Sequence, residues 1–262
     1  PETEPDAPLL VFFHDGGGVL GDLETSHAFL TRLARHGRCP ILAPEYRLAP
    51  THRFPAGFED ALAATRWARE WGDRHGGASG RVAVGGLSMG ATFAAAVCQA
   101  FKASGEPQPD LQLLICPILD AALEDQSVQT FADSWPVSAE CFRWLLGHVM
   151  GPEGDPADPR LSPVRGADVE GLAPALIVGA GFDPVVDQAE TYARKLRAAG
   201  VPVVYRCYDA LSHAFPLFAG VSRQAETACA EIAGLLREAL TRGLDRARGL
   251  PDRADQEKGL VL

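Results

Sequence analysis

The residues Gly86-Leu87-Ser88-Met89-Gly90 lie between an apolar run, 81–85, and an alanine-rich stretch of helical periodicity, 89–102. This is a G-x-S-x-G pattern in a strand-to-helix setting. Glycines two positions either side of the serine let the chain turn sharply and lift the hydroxyl clear of the sheet. A hydroxyl is a poor nucleophile at neutral pH, so Ser88 needs a base within hydrogen-bond reach and a third group to orient that base. Of the seven histidines, only His213, in "YDALSHAFPLF", follows the last strand-like run. There the chain order serine, acid, histidine holds. His36 and His75 fall at helix ends among polar residues and read as solvated or capping groups. For the acid, "ALIVGAGFDPVVDQ" offers Asp183 and Asp187. Asp183 stands at the carboxyl end of an apolar strand, where catalytic groups gather in open α/β sheets. Asp187 comes one helical turn later and reads as a structural or capping carboxylate.

A second feature is "LLVFFHDGGGVLGD", residues 9–22, in which an apolar strand runs into three consecutive glycines. Such a loop can cradle a phosphate, bind a dinucleotide, or bring bare N–H groups to a reacting oxygen. A phosphate loop calls for Lys-Ser/Thr after its glycines, and a dinucleotide loop for G-x-G-x-x-G opening a helix; neither is present. The remaining role is an oxyanion cradle, shared with the N–H of the residue after the nucleophile, Met89.

These groups need a frame. Short runs rich in Val, Ile and Leu at 9–13, 40–43, 81–85, 111–116, 175–179 and 203–208 alternate with helical periodicity at 26–36, 58–74, 89–102, 186–199 and about 221–242. That alternation predicts an α/β fold around a mostly parallel sheet. Gly200, with Pro202 soon after, marks a helix end. More than fifty residues, 119–174, separate the fourth and fifth strands and carry Phe131, Trp135, Phe142 and Trp144. So long a connection in a compact domain suggests a lid or cap. The expected organisation is one catalytic domain over 1–243 and a polar tail over 244–262.

A net charge of -10 and a pI near 5.2 argue against nucleic acid or an anionic membrane surface as partner and favour a small, mostly uncharged ligand. No apolar run is long enough to span a bilayer, so a cytoplasmic protein is expected. The six cysteines are dispersed with no C-x-x-C pair and read as buried reduced thiols. No metal or organic cofactor is expected.

Four collinear stretches carry a family resemblance: "FHDGGGVLGDLET", "PEYRLAPTHRFPAGFEDALAATRW", "VGGLSMGA", and the run from "LAPALIVGAGFDPVVDQ" through "RKLRAAGVPVVYRCYDALSHAF". The chain resembles the hormone-sensitive-lipase group of α/β-hydrolases, bacterial carboxylesterases with an HGGG loop. The resemblance implies Ser88 as nucleophile, His213 as base, Asp183 as its orienter, and Gly16, Gly17 and Met89 as oxyanion donors. It gives His14, Tyr46, Arg47 and Asp60 supporting roles around the glycine loop. It also implies a monomer, or a homodimer through the edge strand near 203–208.

The sequence departs from the family pattern in three places. Asp15 stands where the family has glycine, and Gly18 where it has an aromatic. Asp15 would oppose negative charge at an oxyanion unless it points away, which is the expectation. At the elbow, G-D-S-A-G-G becomes Gly86-Leu87-Ser88-Met89-Gly90-Ala91, and the longer Met89 side chain should narrow the acyl pocket. The resemblance also implies early strands and cap helices ahead of the glycine loop; the expectation is that they are missing here, with the insertion at 119–174 as the cover. The expected activity is hydrolysis of small acyl esters through an acyl-enzyme. The alternatives are amide, formamide or lactone hydrolysis, or a non-catalytic small-ligand receptor.

Overall fold

The computed structural model describes residues 3–4, 6–75 and 80–244. Apart from Leu244, the expected polar tail lies outside the described residues. Among these residues six strands form one sheet in the order β2-β1-β3-β4-β5-β6, with every neighbouring pair parallel. They are β1 (Leu9–Phe13), β2 (Ile41–Leu42), β3 (Val82–Leu87), β4 (Gln112–Ile115), β5 (Ala175–Phe182) and β6 (Val203–Ser212). Both faces are covered, as near-continuous apolar strands require. Helices α1 (Leu23–Gly37) and α7 (Arg223–Arg242) cover one face; α2 (Ala56–His75), α3 (Met89–Ser104) and α6 (Val186–Ala198) cover the other. Alternation along β1 feeds both cores, Leu10 and Phe12 facing α1 and α7, and Val11 and Phe13 facing α2 and α3.

The helix ends follow local chemistry. α1 begins at Leu23, three residues ahead of the apolar periodicity, because Asp22 accepts the Thr25 N–H while the Thr25 hydroxyl accepts the Asp22 N–H. α6 ends at Ala198, and Gly200 follows in the left-handed region at φ +77°. The insertion between β4 and β5 carries two helices, α4 (Gln126–Thr130) and α5 (Ala139–Met150).

The chain leaves β1 for β2 at the sheet edge and returns past β1 to β3. The carboxyl ends of β1 and β3 therefore flank a topological switch point, where open α/β sheets place their ligands. The glycine loop follows β1 and Ser88 follows β3. No helix among the described residues is long and apolar enough to cross a membrane.

Candidate active site

Ser88 has a positive φ, 57°, with ψ -120°, between β3 and α3. The turn works only because both flanking glycines lack a side chain. A Cβ on Gly86 would come within 2.1 Å of the Gly90 backbone, and one on Gly90 would come within 2.1 Å of the Phe13 carbonyl oxygen. That second contact seats the elbow directly against the end of β1, bringing nucleophile and glycine loop together. The Ser88 N–H donates to the Ile115 carbonyl at 2.9 Å, which ties the elbow to β4 as well.

The sequence-predicted serine, histidine and acid meet in one hydrogen-bonded chain. His213 Nε2 lies 2.9 Å from Ser88 Oγ, and His213 Nδ1 lies 2.8 Å from Asp183 Oδ2. All three residues are buried. Asp183 and His213 become neighbours through the β5–β6 register: Phe182 pairs with Ser212 across a bulge, so the next residue of each strand emerges at the same edge. The Val185 N–H donates to Asp183 Oδ1 at 3.0 Å and fixes the carboxylate's other oxygen. With Asp183 accepting at Nδ1, Nε2 of the neutral imidazole is the acceptor facing the serine hydroxyl. Asp187 serves elsewhere, its Oδ2 accepting the Ser127 N–H at 2.8 Å in the first turn of α4.

Gly16, Gly17 and Gly18 all take positive φ, at 107°, 66° and 74°. Gly16 can be nothing else, since its Cβ would sit 2.0 Å from the Leu20 carbonyl oxygen, which follows from the turn that Gly16 closes by accepting the Leu20 N–H. Among the described residues, the N–H groups of Gly16, Gly17 and Met89 enter no backbone hydrogen bond. Unpaired N–H groups of this kind are what an oxyanion cradle requires.

The loop is braced from below. The Tyr46 hydroxyl donates to the His14 carbonyl at 2.9 Å, and the two rings stack at 4.2 Å. His14 Nδ1 stands 2.6 Å from the Asp15 carbonyl, so this nitrogen carries the proton and His14 is engaged in holding the loop. Arg47 grips Asp60 through Nη2 at 2.8 Å and Nε at 2.9 Å, and its backbone N–H donates to the same carboxylate. This fork raises the Arg47 pKa and lowers that of Asp60 against the cost of its burial. The Ala49 N–H donates to the Gly18 carbonyl and the Phe54 N–H to the Val149 carbonyl. The "RLAPTHRFPA" segment thus links the glycine loop to α5.

Asp15 is partly buried. Its Oδ1 is buried with no hydrogen-bond partner among the described residues. Burial raises its pKa, opposed in part by a backbone hydrogen bond and by the Ser26 hydroxyl. Oδ1 is therefore enclosed by protein and not turned into solvent.

The cover over the site escaped the sequence reading in its detail. Phe142 of α5 packs edge-on against the His213 ring, centroids 4.8 Å apart. A Cβ on Gly17 would meet Leu145 at 2.6 Å, and one on Gly18 would meet Val149 at 3.0 Å. The signal was present in "CFRWLLGHVM", whose Phe142, Leu145 and Val149 recur at helical spacing. All six cysteines are free, four of them buried. Cys116, Asp183 and His213 each offer a possible ligand atom within 4.8 Å of one another, a cluster that sequence spacing does not reveal.

A family profile described as the alpha/beta hydrolase fold matches residues 10–217. The chain is 44% identical over 214 residues to the carboxylic ester hydrolase LipN of Mycobacterium tuberculosis, a match covering 79% of this chain and 57% of LipN. It thus spans little more than half the length of that relative. The ethyl acetate hydrolase of Pseudomonas putida is 33% identical over 243 residues, covering 92% of this chain and 76% of its own. Among solved structures, an alpha/beta hydrolase enzyme from the metagenome of Lake Arreo, Spain, superposes with a TM-score of 0.85 at 36% identity, over 88% of this chain and 73% of that one.

Proposed function

This chain belongs to the α/β-hydrolase family, and we propose that it is a carboxylic ester hydrolase acting on small, mostly uncharged acyl esters. The observation that carries the reading is the buried relay from Ser88 Oγ through His213 to Asp183, at 2.9 and 2.8 Å, beside three unengaged N–H groups. His213 Nε2 takes the hydroxyl proton as Ser88 attacks the ester carbonyl. The N–H groups of Gly16, Gly17 and Met89 hold the developing oxyanion, and Asp183 stabilises the imidazolium that forms. Collapse of the tetrahedral species expels the alcohol, which leaves with the proton from His213. Water, deprotonated by the same nitrogen, then releases the acid from Ser88. Each step uses only side chains and backbone already in place, and the naming of LipN and the Pseudomonas enzyme as ester hydrolases supports it.

The test is turnover of a series of p-nitrophenyl esters, with anilide and lactone substrates alongside, together with labelling by a fluorophosphonate. Wild type should hydrolyse the esters and be labelled once per chain, and Ser88→Ala should lose both. Turnover or labelling that survives Ser88→Ala overturns the assignment.

A further inference from the structure

Directly behind the acid, at the end of β4, lies a thiol that the reaction just described does not use. We infer that Cys116 is a positioning residue of this site: wedged between the Asp183 carboxylate and the backbone of Ala214, it donates its S–H to Asp183. The inference rests on the proposed triad and extends it by one member.

Four observations carry it. The Cys116 sulfur, an Asp183 oxygen and a His213 ring nitrogen all lie within 4.8 Å of one another, and all three residues are buried. Asp183 already accepts from Val185 at Oδ1 and faces His213 at Oδ2. An ionised carboxylate has about four acceptor positions, so Asp183, with one partner at each oxygen, has room for a further donor. Cys116 itself is held in place by its backbone, whose N–H donates to the Val178 carbonyl at 2.7 Å and whose φ is 44°. A non-glycine residue in the left-handed region costs about 1 kcal/mol, and such strain persists where the surroundings over-determine it.

The thiol is suited to the task because it stays protonated. Burial, then the Asp183 charge, pushes its pKa well above the ordinary value of 9.0, while the Ala214 N–H at the sulfur works the other way. A thiolate there would place a second anion beside the carboxylate; a neutral thiol is a donor at every pH at which the site works. The thiol stands beside the residue that orients His213, within 4.8 Å of both the carboxylate and the ring nitrogen. Cys116 thereby holds acid and histidine loop in one arrangement, without touching substrate.

The test compares Cys116→Ser, Cys116→Ala and Cys116→Gly. Serine keeps a donor of similar shape, alanine removes it at the same backbone strain, and glycine removes it while relieving that strain, so at least one donor-less variant should fold. The first readout is the downfield proton resonance of His213 Nδ1, which needs no turnover. The second is the acidic limb of the kcat/KM profile. Without the S–H the carboxylate becomes a stronger acceptor for His213. The resonance should then move further downfield, the acidic limb should rise by about 0.3 to 0.5 of a pH unit, and kcat/KM at the plateau should fall about fivefold. Cys116→Ser should stay near wild type in all three. If the alanine and glycine variants keep the wild-type resonance and limb, or if serine shifts with them, the inference is wrong. If the resonance moves as described while no ester is turned over, the inference holds and the ester-hydrolase reading is what fails.

Discussion

Replacing Phe142 with alanine probes whether α5 lies closed on the site in solution as it does in the structure. Phe142 is 1% exposed and packs its ring at 87° to His213, so the substitution removes a whole aromatic side chain from contact with the proposed base. Phe-to-Ala changes in cores cost about 3–5 kcal/mol, the spread reflecting how far the neighbours collapse into the gap. The lower part of that range applies here, because α5 belongs to an insertion that can settle inward as a unit. At about 2–4 °C per kcal/mol for a chain of this size, the melting temperature should fall by roughly 6–12 °C. Trp144, on the same helix but 54% exposed, supplies the control, since alanine there should change stability by about 0.5 kcal/mol or less. The assay is thermal denaturation followed by circular dichroism, run beside steady-state hydrolysis of a short p-nitrophenyl ester. Water admitted beside His213 and a looser ring should lower kcat about three- to tenfold. A melting temperature within 2 °C of wild type and an unchanged kcat would refute the reasoning, because a helix resting on the histidine could not lose its main contact without cost.

Three further changes have defined outcomes. Met89→Ala empties space beside Gly18 and should shift ester preference toward acyl chains longer by one or two carbons, at a stability cost of about 2–4 kcal/mol, read by a chain-length series and a melt. Asp15 has a folded pKa raised by burial above its ordinary 3.8, so its ionisation removes stability as pH rises through the folded value. Asp15→Asn should therefore be more stable than wild type at neutral pH, with the advantage vanishing below the unfolded value, as measured by urea unfolding at pH 7.5 and pH 3.5. Glu106 shows the opposite sign: the Arg66 guanidinium and then the Ser104 hydroxyl lower its pKa from 4.5 to about 2. Its contribution is present above the unfolded value and lost as pH falls from about 4.5 toward 2, so Glu106→Gln should lie below wild type at pH 6 and converge with it near pH 2.

What the sequence discloses follows from the range of the forces involved. β1 falls on residues 9–13 as read, because an unbroken apolar run between polar flanks leaves a buried parallel strand no other bounds. β6 runs on to Ser212, beyond the apolar run that ends near 208, because pairing with β5 continues through Phe182. That pairing is non-local, and no property of residues 209–212 announces it. The serine, histidine and acid were legible because each stands at a strand's carboxyl end in a fixed chain order. The glycine loop was legible because only glycine satisfies its backbone. Asp15 and Cys116 were not. Whether a carboxyl or a thiol at a strand end meets water or another side chain depends on what folds over it from elsewhere: α5 and the His213 loop here.

The substitutions at positions 18 and 89 look unrelated in sequence, yet in space they are one feature. A side chain begun at Gly18 would point at Val149 Cγ2, 3.0 Å away, and at Met89 Cγ, 3.5 Å away. The family pattern puts an aromatic on the loop and alanine after the nucleophile; this chain puts nothing on the loop and a fully buried thioether after the nucleophile. Bulk has moved from a loop position, where φ is +74° and any side chain is strained, to the first residue of α3, where none is. The exchange requires both halves. An aromatic at 18 with Met89 retained would overfill the space under α5, and alanine at 89 with Gly18 retained would leave it empty. A flexible, unbranched side chain then lines the space beside the proposed oxyanion donors, and it can yield to an acyl group by rotation about its own bonds where an aromatic ring cannot. Acyl selectivity at this site should accordingly be graded with chain length, not cut off at one carbon number.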